Sequence, residues 1–117
     1  MSAIDGKVET ELFDKPRNFL YDANAFADLQ EALGGLGLTQ LFREENLGFS
    51  TVRALVCYGL KHEDRSMTKE RAGNLITKAL KNGTSLADIM DVISKAIAAS
   101  GLFPKADLET DPPMPST

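Results

Sequence analysis

The stretch FSTVRALVCYGLKHEDRSMTKERAGNLITKALKNGTSLADIMDVISKAIAASG, Phe49 to Gly101, decides the fold. Phe49, Val52, Leu55, Val56, Gly59 and Leu60 recur at spacings of three and four. So do Ala72, Leu75, Ile76, Ala79 and Leu80, and then Leu86, Ile89, Met90, Ile93, Ala96 and Ile97. That period places each set on one face of a helix. The flanking residues agree. Ser50 and Thr68 stand where a side-chain oxygen accepts the free N–H groups of a first turn. Ser85 and Asp88 have capping-box spacing, with Asp in place of the usual Glu or Gln, and Gly83 and Gly101 follow the last periodic residues. Three amphipathic helices on short loops must fold back on one another to bury their stripes.

Upstream, DANAFADLQEALGG (Asp22 to Gly35) predicts another helix. Asp22 or Asn24 caps it, Phe26, Leu29 and Leu33 share a face, and Gly34 or Gly35 ends it. In LGLTQLFREENLG, Leu36, Leu38, Leu41 and Phe42 cluster between glycines, consistent with a short helix or turn carrying core side chains. Earlier still, Val8, Thr10 and Leu12 alternate with Lys7, Glu9, Glu11 and Phe13, DKPR supplies turn residues, and NFLY is apolar again. This predicts a β-hairpin with strands near Lys7 to Phe13 and Arg17 to Tyr21. A lone hairpin is marginal in water, so it should pack on the helices or pair with another subunit. Four of the five prolines fall in PKADLETDPPMPST, with acidic and small polar residues, which predicts a disordered tail. The expected class is α+β, mainly α: a bundle of three to five helices with an N-terminal hairpin. Its parts are the hairpin over 1–21, the helical domain over 22–103 and the tail over 104–117.

Composition narrows the function. At 117 residues and 43% hydrophobic, the chain suits one domain with a modest core. Its net charge of −4, with basic residues scattered along the sequence, argues against a phosphate backbone as partner. No apolar run approaches the roughly 20 residues of a membrane span, and the N-terminus has no signal-peptide pattern. One cysteine cannot close an intrachain disulfide, which fits a reducing cytoplasm.

The only cysteine and the only histidine stand five positions apart, Cys57 and His62, followed by Glu63 and Asp64. A thiolate nucleophile on a helix needs its base three or four positions away or from another element. Cys57 has Arg53 before it and Leu60 and Lys61 after it, while His62 falls beyond the helix end, so the cysteine reads as a flank of the core. One histidine and a distant cysteine do not supply a zinc ligand set, and the loop lacks the glycine and glutamate offsets of a calcium loop. His62, Glu63 and Asp64 are therefore expected to form a solvated connection. The helices around KNGTS have helix-turn-helix proportions, but Asp88 and Asp91 would meet phosphates with only Lys95 to offset them. GTSLAD at a helix start is similar to acyl carrier proteins, whose serine bears a phosphopantetheine arm. That gives an alternative function, a small acidic carrier using Ser85, although Ser85 is also explained as a cap.

In order, YDANAFADLQEALGG, FSTVRALVCYGLKHEDRSMTKERAGNLI and SLADIMDVISKAIAASG resemble the tail assembly chaperones of long-tailed bacteriophages, in the branch shared with gene transfer agents. The matching positions are Asn24, Ala25, Leu29 and Leu33, then Val52, Arg53, Leu55, Tyr58, Gly59 and Leu60. Met67, Thr68, Glu70, Ala72, Gly73, Leu75 and Ile76 follow. Gln30 departs from the acidic residue common there, with Glu31 displaced by one. The resemblance covers Tyr21 to about Leu102. It implies a non-enzymatic protein of the host bacterial cytoplasm, without cofactor or metal, that coats the tape measure protein and helps recruit tail tube subunits. A homo-oligomer is also compatible with it.

Apolar side chains off the main stripes have no core to explain them, which makes Phe13, Phe19, Tyr21, Tyr58, Leu102 and Phe103 the candidate partner-binding residues. The competing expectation is that they seat the hairpin and the C-terminus on the bundle.

Overall fold

Residues 6–35, 40, 43 and 48–102 are described by a computed structural model. In chain order the elements are β1 (Val8–Thr10), β2 (Arg17–Phe19), α1 (Ala23–Ala32), α2 (Phe49–Leu60), α3 (Lys69–Lys81) and α4 (Leu86–Ala99). The mainly helical α+β architecture expected from the periodicity is the one that forms. The cluster Leu36, Leu38, Leu41 and Phe42, together with Phe103 and the tail over 104–117, lies outside the described residues.

Local chemistry sets the boundaries. Asp22, not Asn24, caps α1, its carboxylate accepting the Ala25 N–H at 2.8 Å. The Thr68 hydroxyl accepts from Arg71 N at 3.1 Å, and Ser85 with Asp88 completes the reciprocal capping box at 3.0 and 3.2 Å. At the other end of α3, Gly83 takes φ 101°, a left-handed value that favours glycine. There the Gly83 and Thr84 N–H groups close back on the Leu80 and Ala79 carbonyls. One expected cap is corrected. Gly48 occupies the N-cap of α2 with no side-chain bond, and Ser50 lies inside the first turn. The helix starts early enough that Phe49 is its first residue. Phe49 stands in line with the apolar stripe, but at the helix end no described element covers it, and it is 65% exposed.

The two strands are shorter than their sequence pattern. They pair antiparallel, Val8 opposite Phe19, Glu9 opposite Asn18 and Thr10 opposite Arg17. The Thr10 hydroxyl accepts the Leu12 N–H at 3.2 Å and turns the chain, and beyond Phe19 the Leu20 N–H leaves the hairpin to donate to the Gly59 carbonyl at 2.9 Å. Alternation puts Thr10, Arg17 and Phe19 inward and Glu9 outward.

Helix α2 is the centre. It packs against α1, α3, α4 and β2, and Thr51, Val52, Ala54, Leu55, Val56, Cys57, Gly59 and Leu60 are all buried. The sequence shows one stripe, whereas most of the circumference is covered. The hairpin is the cover on one side, with β1 resting on α4 and β2 on α2. Its seat is Gly59: a Cβ there would stand 2.5 Å from Phe19 Cδ1 and 2.6 Å from the Tyr21 hydroxyl oxygen. Phe13, Phe19, Tyr21 and Phe26 run as a row of ring contacts, with centroids 6.1, 6.3 and 5.6 Å apart, from the hairpin connection to α1. The buried Tyr21 hydroxyl donates to the Leu55 carbonyl, so the row's one polar atom is satisfied.

Candidate functional site

Cys57 points into the interior, and burial pushes its thiol pKa up, with Lys61 and Lys69 pulling weakly the other way. A thiol held protonated is a core side chain, as expected from its place at the stripe's flank. His62 and Glu63 are exposed and Asp64 partly so, as expected of a solvated connection, but the three also make specific bonds. Glu63 accepts the Asn18 backbone N–H at 3.1 Å and its side-chain amide at 3.0 Å, and His62 Nε2 donates to the Asn18 carbonyl at 2.9 Å. Asp64 accepts from Ser66 and from Arg71, the latter at 3.1 Å, and lies 3.8 Å from Arg17. Arg17, only 3% exposed, also makes a bidentate pair with Asp14 at 2.8 and 3.0 Å. The loop between α2 and α3 is thus a clasp on β2. Its bonds to Asn18 and its approach to Arg17 span more than forty positions, which no local pattern announces.

The clasp sets the titration of its members. The Ser66 hydroxyl, with Arg71 beside it, holds the Asp64 carboxyl down to about 2. The Asn18 amide lowers Glu63, and the Arg17 guanidinium lowers Asp14. All are kept ionised at neutral pH as anchors.

The off-stripe candidates divide. Phe19 and Tyr21, each 1% exposed, belong to the core, which corrects their selection as surface residues: the absent Cβ of Gly59 makes room for both rings. Phe13 and Tyr58 are half-buried against that core. Leu102 is 50% exposed beyond the end of α4. Phe103 lies outside the described residues. The structure does not gather them into one face. Ser85, exposed at the start of α4, has its hydroxyl engaged in the capping box.

A surface that the sequence search passed over lies between α2 and α3. It is an open groove of about 320 Å³, lined by Phe49, Ser50 and Arg53 of α2 and by Gly73, Ile76, Thr77 and Leu80 of α3. Phe49 supplies an exposed aromatic rim, and Ile76 and Leu80 an apolar floor. The Arg53 stem lies over Gly73, where an added Cβ would be 3.4 Å from Arg53 Cδ, an ordinary contact distance. Packing therefore does not require glycine at this helical position, although glycine there costs the helix about 0.5–1 kcal/mol relative to alanine. The signal that could have found the site is a helical glycine facing an exposed arginine twenty residues earlier. A second, wider cleft of about 610 Å³ runs past Asp22, Asp28, Tyr58, Lys61, His62 and Arg65, and its lining mixes both charges.

No protein-family model, curated protein or solved structure matches the chain. No helix among the described residues is long and apolar enough to cross a membrane.

Proposed function

We propose that this chain is a tail assembly chaperone of a long-tailed phage or prophage, a non-enzymatic factor that binds the tape measure protein in the host cytoplasm and helps recruit tail tube subunits. The observation that carries the reading is the ordered resemblance from Asn24 to Ile76. The roles of the matched residues support it. Gly59 seats the hairpin and Thr68 caps α3, so those matched residues have roles in the fold. Arg53 and Gly73 have no such duty, yet they meet on one open groove with an apolar floor, the kind of surface that holds an apolar segment of another protein. Co-expression with the tape measure protein encoded beside this chain tests the proposal. The expected result is more soluble tape measure protein and its co-purification with the chain. Unchanged solubility with no co-purification overturns the reading.

A further inference from the structure

The two helices that wall the groove concentrate positive charge. Arg53 is the only charged residue of α2, and α3 carries Lys69, Arg71, Lys78 and Lys81 against Glu70. The whole chain has 13 basic and 17 acidic residues, so everything outside these helices holds eight basic against sixteen acidic. These two helices are the basic part of an acidic protein, and Arg53 is the charge that they place in the groove lining. Arg71 is held by Asp64, whereas Arg53 is exposed and has no ion-pair partner among the described residues. Along α3, Lys69, Gly73, Thr77 and Lys81 follow one another at four-residue spacing. They form one ridge with a cation at each end and Gly73, under the Arg53 stem, between them.

We infer that the groove between α2 and α3 binds an acidic amphipathic helix of a partner protein, its apolar face on Phe49, Ile76 and Leu80 and its carboxylates toward Arg53, Lys69 and Lys81. Each part of the surface selects one property of the occupant. The apolar floor gains only from apolar side chains leaving water, and an exposed guanidinium beside it gains from a carboxylate able to accept two hydrogen bonds. The missing side chain at Gly73 lets the Arg53 stem lie close against α3, which keeps its guanidinium beside the apolar floor. Nucleic acid would satisfy the cations but leave the floor facing water. The inference rests on the chaperone reading for the occupant's source, acidic amphipathic stretches of the tape measure protein.

The test uses the full chain and two fluorescent synthetic helices with the same leucine and isoleucine face, one with glutamates on its flanks and one with lysines. The glutamate helix is expected to bind at least about tenfold more tightly and to weaken as salt rises. Arg53→Glu and Phe49→Ala, both at exposed positions, are expected to weaken it about tenfold and a few-fold, with amide shifts concentrated over residues 49–53 and 73–80. Gly73→Ala is expected to bind less tightly while melting no lower than the parent chain. Equal binding of the two helices overturns the inference. Binding indifferent to Arg53→Glu, or displacement of the glutamate helix by duplex DNA, does the same. Peptides tiled along the neighbouring tape measure protein separate the two readings. If the model helix binds in the groove and no tiled peptide binds, the chaperone reading fails and the groove stands. If tiled peptides bind and ignore Arg53→Glu, the groove fails and the chaperone reading stands.

Discussion

Gly59 and Gly73 sit in neighbouring helices, and in both places a helix gives up a side chain. At Gly59 the space is taken: two aromatic rings press so close that a methyl group would collide. At Gly73 the space is left over, with one arginine stem at ordinary contact distance and the rest open to solvent. A glycine inside a helix lowers stability, so its presence calls for a compensating gain. At Gly59 that gain is the seated hairpin. At Gly73 the fold supplies none, and a binding surface is where such a gain would lie.

The contrast is sharpest in stability. Gly59→Ala should cost about 2–3 kcal/mol, because Phe19 and Tyr21 must shift and the hairpin with them. Urea unfolding measures it, and an unchanged midpoint would mean that the hairpin does not bear on α2. Tyr21→Phe removes the hydroxyl bond to Leu55 and should cost about 1 kcal/mol. Since that hydroxyl is one of the atoms an added Cβ would strike, the two changes together should cost less than their sum, and a double-mutant cycle reads the coupling. Gly73→Ala should act in the opposite direction, raising stability by about 0.5–1 kcal/mol on the same urea scale. A loss there would erase the distinction between the two sites. The smallest expected effect is read from the clasp by lowering the pH. Asp14, Glu63 and Asp64 are all more acidic folded than unfolded, Asp64 down to about 2. Their stabilisation is therefore complete above the unfolded values and lost as pH falls through the folded ones. Stability should stay nearly flat down to about pH 5 and decline below it, and Asp64→Asn should flatten the decline.

What could be read from the sequence was whatever local spacing enforces. Thr68, Gly83 and the Ser85–Asp88 box act within a turn of themselves, and the stripes of α3 and α4 follow the helical repeat. The burial of α2 on most sides was hidden. Its extra buried positions, Thr51, Ala54 and Cys57, are small residues that periodicity counts as neutral until distant segments cover them. Ser50 misled because serine caps only where the helix begins after it, and α2 begins before it. The burial of Phe19 and Tyr21 was hidden for a related reason. Both lie off the stripes, and the hairpin needs those residues as its own core. The groove is made of residues on or beside the stripes, joined by a contact between positions twenty apart.

The clasp on Asn18 also governs how the protein behaves among copies of itself. A two-stranded sheet leaves two unpaired margins, each a template for stacking onto another chain. On β2 the Asn18 backbone amide and carbonyl are already consumed by Glu63 and His62, and on β1 Lys7, Glu9 and Glu11 line the opposite margin with exposed charge. With those groups consumed and charge beside β1, the hairpin is a poor template for edge-to-edge stacking of one copy on another.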